Sequence, residues 1–166
     1  MILDLTPHND PLLRQQLEPF DPSSVDLETI VADMFETMHH HKGVGLSANQ
    51  VGLPHRLFVM GTDEMELVFI NPEIRFISEE TEIAEEGCLT HPGLFIKVKR
   101  PNEVRLTSTN MLGETKALTY KGMTARIILH EMDHLEGKDY QRRANRIHLE
   151  RGRNQLKKWK KRNGIL

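Results

Sequence analysis

Met123-Thr124-Ala125-Arg126-Ile127-Ile128-Leu129-His130-Glu131-Met132-Asp133-His134-Leu135-Glu136-Gly137 is the stretch whose reading decides the fold. Met123, Ile127, His130 and His134 keep helical spacing, no Gly or Pro interrupts the interior, and Gly137 stands where a helix stop belongs, so the pattern predicts a helix. On such a helix two histidines four residues apart share one face. Two imidazoles there can hold a metal ion, with Glu131 beside them as an acid and base. That is the signature of a metal-assisted hydrolase.

Two histidines rarely complete a metal site, so the third ligand decides the enzyme class. A third histidine three residues past Gly137 would make one class of endopeptidase, but position 140 is Tyr. A downstream carboxylate would make another, a zinc endopeptidase, and Glu150 is the only acid after Asp139. It sits among Arg146, Arg151 and Arg153, which reads as a solvated charged face. Cys88 is the better candidate. It is the only cysteine, so it has no internal disulfide partner, and Glu85-Glu86-Gly87-Cys88-Leu89-Thr90 reads as a turn whose glycine admits close backbone approach.

Outward from the metal helix, the chain predicts an α+β fold: antiparallel strands packed around a central ligand helix, with an N-terminal helix and a basic C-terminal helix. A short helical turn is expected around Asp10 to Gln16, then a helix from Val25 to about His40 with Leu27, Ile30, Val31, Met34, Phe35 and Met38 on its buried stripe. His39, His40 and His41 end that helix as neighbours that do not converge, and they suit its dipole rather than a metal. Six strands are predicted between Arg56 and Tyr120: Leu57 to Met60, Glu66 to Ile70, Ile74 to Ser78, Leu94 to Lys99, Glu103 to Ser108 and Thr115 to Tyr120. A final helix is expected from Asn145 or Arg146 to Lys161. Its apolar residues Ile147, Leu149, Leu156 and Trp159 make a thin stripe that Gly152 weakens. Between the first helix and the strands, Gly43-Val44-Gly45-Leu46-Ser47-Ala48 fits a loose dinucleotide fingerprint but leaves a helix rather than a strand. Its glycines suit close approach to a peptide backbone instead, with Gln50 as an amide donor.

Three of these segments, Gly43-Val44-Gly45-Leu46-Ser47-Ala48-Asn49-Gln50, Glu86-Gly87-Cys88-Leu89-Thr90 and His130-Glu131-Met132-Asp133-His134-Leu135-Glu136-Gly137, resemble the three signature motifs of the peptide deformylases, in that family's order. Ser47 and Thr90 replace the family's more frequent Ala and Ser, and both are small. The resemblance implies a hydrolase that removes the N-formyl group from the N-terminal formyl-methionine of nascent polypeptides and releases formate. It implies Cys88, His130 and His134 as ligands to one divalent ion, natively Fe2+, with Zn2+, Ni2+ or Co2+ compatible. Three ligands leave one position open for a water, which would attack the formyl carbon with Glu131 as general acid and base. Gln50 and the backbone N–H of Leu89 are the expected oxyanion donors. Val44, Gly45, Gly87 and Ile127 are expected to hold the substrate, Val44 and Ile127 around the methionine side chain. His91 and Arg126 depart from the family pattern; His91 is expected at the pocket rim, and Arg126 either reaches a substrate carbonyl or faces water.

The 166 residues, 38% of them hydrophobic, suit one domain: residues 1–140 as the catalytic body and 141–166 as its basic helical extension. The first residues carry no basic segment followed by a long apolar run, and no stretch approaches a membrane span. A reducing cytoplasmic setting and a monomer are expected. The formal charge of −2 hides a division: residues 141–166 hold ten Lys and Arg against one acid, while the rest holds 12 basic and 23 acidic residues. A basic arm on an acidic body suits attachment to a polyanion, and the resemblance implies the ribosome as that partner. Besides an endopeptidase, the rival is a nucleic-acid or ribosome-binding protein in which the same residues are structural; in that case Glu131→Gln would leave every activity unmoved.

Overall fold

Helix α2 (Gly122–Leu135) lies at the centre of the molecule, and every residue from Ala125 to Leu135 is buried. The computed structural model describes residues 1–62 and 64–165; Leu166, the end of the expected basic extension, lies outside the described residues. The chain begins with a 3₁₀ turn (Pro11–Arg14) and helix α1 (Leu27–His40), whose first turn is capped by Asp26 accepting from the Thr29 N–H. Strand β1 (Gly45–Ser47) and a 3₁₀ turn (Ala48–Val51) follow. Then come β2 (Leu57–Thr62), β3 (Met65–Ile77), β4 (Thr81–Cys88), β5 (His91–Pro101), β6 (Glu103–Thr109) and β7 (Thr115–Lys121), with α2 and helix α3 (Arg146–Arg162) after them. One antiparallel sheet has the order β1-β2-β3-β6-β7, and β4 pairs with β5 in a second.

Alternation along β2 places helices on both faces of the larger sheet. Phe58 and Met60 point with Phe69 and Leu106 toward Ile128 and Met132 of α2. Leu57 and Val59 point with Ile70 toward Val31, Met34 and Met38 of α1. The smaller sheet builds a third cluster in which Leu94, Ile96 and Val98 meet Tyr140, Leu149 and Leu156. Only half of the expected α3 stripe is used: Leu149 and Leu156 pack, while Ile147 and Trp159 are exposed. Gly152, read as a weakness, is the point of contact, because a methyl group there would lie 2.6 Å from the Phe95 carbonyl oxygen.

Two expectations about strands are corrected. Glu66–Ile70 and Ile74–Ser78 belong to one strand, β3, which carries a register irregularity between Ile70 and Glu73 and a positive φ of 49° at Asn71, so Asn71-Pro72 kinks the strand without ending it. The segment 85–88 is the end of β4 rather than a turn; the two-residue turn is Leu89-Thr90, and a bulge at Gly87 precedes Cys88. Long-range straps fix the end of α2. Asn49 Nδ2 donates to the His134 carbonyl at 2.7 Å, the Leu17 N–H donates to the Leu135 carbonyl at 2.8 Å, and Gly137 (φ 69°) leaves no room for a Cβ against the Arg14 backbone.

Candidate active site

The bulge at Gly87 turns Cys88 toward α2, where the ligand atoms of Cys88, His130 and His134 all lie within 4.8 Å of one another. Among the described residues this is the one group of three such side chains that could hold a metal ion. Cys88 Sγ is 3.3 Å from His134 Nε2. Burial opposes a thiolate at Cys88, but the facing His134 and His130 outweigh it and hold the thiol well below its usual range. A thiolate and two imidazoles are the donor set of a divalent transition ion, so the residues present fit one.

Behind the cluster stands a charge network that the sequence did not disclose. His130 Nδ1 lies 2.9 Å from Glu86 Oε1, which leaves Nε2 to the metal-capable cluster. Glu86 in turn accepts from Arg100 Nε and Nη2 at 2.8 and 2.9 Å and from Arg126 Nη1 at 2.7 Å. Burial raises the Glu86 pKa, but His130 and Arg100 bring it down to about 2. Arg100 also donates to Asp133 at 2.7 Å, and Arg143 donates to the same carboxylate from the surface. Arg126 therefore does not face water: it is buried beside the cavity, and donates to Glu86 and to the carbonyls of Val98 and Glu82 at 2.8 and 2.7 Å. No spacing rule connects these residues, because the Glu86–Arg100 pair spans a hairpin and Arg126 reaches it from a helix.

The cluster opens on a cavity of about 490 Å³. Val44 and Gly45 form one wall, Gly87 and Leu89 another, and Ile127 lies on the α2 side. A methyl group at position 45 would lie 2.5 Å from the buried Glu131 Oε1, and one at position 87 would displace the exposed Phe95 ring 2.6 Å away, so glycine at both positions keeps these walls thin. Gln50 lies at the inner end. Its Oε1 accepts from the Ser47 N–H at 3.0 Å, which orients Nε2 toward Thr90 Oγ1 at 3.0 Å and Cys88 Sγ at 3.5 Å. Glu131 is buried, its pKa is pushed up to about 7 by that burial, and its Oε2 has no hydrogen-bond partner among the described residues. His91 stands at the rim, 2.5 Å from Asp139 Oδ2. Glu150, the alternative third ligand, is exposed and paired with Arg146 at 3.0 Å.

Residues 2–150 match the family model described as polypeptide deformylase. A peptide deformylase of Thermotoga petrophila is 42% identical over 128 residues, covering 77% of this chain and 78% of that protein. The crystal structure of a peptide deformylase from Synechococcus elongatus in complex with actinonin aligns with a TM-score of 0.86 and 35% identity, over 93% of this chain and 85% of that one. A Met-Ala-Ser-bound structure of a class I type b peptide deformylase from Acinetobacter baumannii aligns with a TM-score of 0.81 and 28% identity, over 86% of this chain and 98% of that one.

Proposed function

The chain belongs to the peptide deformylase family and is a hydrolase that removes the formyl group of nascent polypeptides; from this premise we propose that Cys88, His130 and His134 hold its one metal ion and that Glu131 is its acid and base. The observation that carries the reading is Glu131 Oε2, a buried oxygen without a partner, on the wall of the cavity that Cys88 and His130 also line. Leaving such an atom unpaired costs stability unless something else binds it, and a reacting water is the group this chemistry requires.

When bound, a divalent ion supplies Lewis acidity to a carbonyl and lowers the pKa of a water. Ferrous iron is the native ion in this reading, with zinc, nickel and cobalt accepted by the same donors. Glu131 takes the proton of the attacking water and returns it to the amine nitrogen as the C–N bond breaks, which yields formate and a free N-terminus. Gln50 Nε2 and the Leu89 N–H, at the hairpin turn, donate to the formyl oxygen as charge builds on it. Gly45 and Gly87 let an extended backbone lie between β1 and β4, and Ile127 with Val44 borders the methionine side chain. A formyl carbon bears only hydrogen, so the same crowding excludes bulkier acyl groups. The Met-Ala-Ser seen in the Acinetobacter baumannii relative supports an N-terminal methionine as the occupant.

Residues 1–140 and the extension 141–166 act in this reading as one domain, monomeric and cytoplasmic, and the exposed lysines of α3 attach it to ribosomal RNA. Among the described residues no helix is long and apolar enough to cross a membrane. Because α3 helps to cover Ile96, charge reversal of Lys157, Lys158 and Lys161 tests the attachment better than deletion does: ribosome pelleting across a salt series should weaken. The reaction itself is tested by formate release from formyl-Met-Ala peptides by anaerobically purified protein, with metal content measured alongside. Glu131→Gln should keep the metal and lose activity by about 100- to 10,000-fold. An unchanged rate would remove Glu131 from the mechanism.

A further inference from the structure

Glu85 and Phe95 line two hollows at once: the large cavity, and a smaller one of about 140 Å³ between β5 and α3 that also takes Lys97, His148, Arg151 and Gln155. The smaller hollow exists because Gly152 brings the α3 backbone onto Phe95, which carries Arg151 and Gln155 to its edge. Two cations, Lys97 and Arg151, face one carboxylate, Glu85, around it. Glu85 pairs in register with Lys97, yet among the described residues neither Lys97 nor Arg151 has a carboxylate within ion-pairing distance.

The position of this hollow follows from the direction of the substrate. With the N-terminal methionine at Cys88, an extended peptide running beside β4 from Cys88 back toward Glu85 advances about 3.3 Å per residue. Its second residue then lies at Gly87, beside the Phe95 ring, and its third and fourth lie at Glu86 and Glu85, the latter paired in register with Lys97 and shared by the two hollows. We propose that the hollow between β5 and α3 is a subsite for an acidic side chain at the third or fourth position of the formylated peptide, with Lys97 and Arg151 as its cationic walls and Gln155 as an amide donor. The proposal deepens the deformylase reading and rests on it.

The test uses the full-length metal-loaded enzyme and C-terminally amidated formyl-Met-Ala peptides extended by two residues, with Glu, Gln or Lys placed at the third or the fourth position. Exposed ion pairs are individually weak, so KM for the Glu peptide should fall about fivefold below that for Gln at one of the two positions in low salt, with kcat unmoved, and the difference should vanish at high salt. In a Lys97→Glu, Arg151→Glu double variant the Glu-to-Lys ratio of kcat/KM should invert; because it is a ratio within one protein, it does not depend on the amount folded. Equal KM for Glu, Gln and Lys at both positions in the native enzyme overturns the subsite. Formyl-Met-Ala-amide separates the two readings: if the native enzyme does not hydrolyse it, the deformylase reading falls first, and if it does while the longer series is flat, the subsite alone falls.

Discussion

Helices α2 and α3 both carry charged residues, and the structure treats them in opposite ways. On α2, Arg126, His130, Glu131, Asp133 and His134 are buried; Arg126 and Asp133 are ion-paired, His130 and His134 join the metal-capable cluster, and Glu131 Oε2 has no partner among the described residues. On α3, Lys157, Lys158, Lys161 and Arg162 stand in solvent, and the helix is held by Leu149, Leu156 and a glycine contact. The difference shows where charge is structural and where it is a surface property. Buried charge must be matched partner by partner, whereas exposed charge needs no partner and is free to meet an external one.

That contrast should be visible in stability, and the largest effect belongs to the network under α2. Arg100→Met removes the buried cation that Glu86 and Asp133 share and leaves them only Arg126 and Arg143, and urea unfolding should show a loss of about 3–5 kcal/mol. Arg143→Ala, which removes an exposed partner of the same Asp133, should cost less than about 1 kcal/mol; equal losses would erase the distinction. Next, adding a divalent ion to metal-stripped protein should raise stability by about 2.7 kcal/mol at a hundredfold excess over Kd, read as a shift in thermal midpoint, and Cys88→Ser should remove most of that shift. Gly152→Ala sharpens the other side. A better helix former would gain about 1 kcal/mol on propensity, but the added methyl meets the Phe95 backbone, so a net loss of about 1–2 kcal/mol is expected. A stabilised variant would mean that α3 does not seat there. Lys158→Ala should move the midpoint by no more than about 0.5 kcal/mol equivalent.

How much of this was legible in the sequence divides along a similar line. The helices were readable because Val31, Met34 and Met38, and Ile127 with His130 and His134, repeat at the helical period. The metal-capable triad was anticipated because the lone cysteine and the two histidines on one helix face fall in the motifs that resemble the family's. Strand β4 was not, because its apolar Ile83 is exposed and its Glu-Glu-Gly ending imitates a turn. Strand β1 is three residues long and offers no period to detect. Glu86 and Arg100 escaped for another reason: the pairing depends on strand register and on a bulge, neither of which local composition encodes. Arg126 looked like a surface or substrate-binding residue because its partners, the carbonyls of Glu82 and Val98, are anonymous in any sequence.

The straps at the end of α2 carry one last implication. Residues 14 to 17 close over Gly137 and Leu135, and Asn49 holds the backbone of His134, so the geometry around the two histidines depends on closures that span most of the chain. Contacts so far apart form late and together. While the chain is being synthesised, residues 14 to 17 therefore have no seat until residues 135 to 137 have left the tunnel, and an enzyme for newborn chains cannot complete its own ligand helix during its birth.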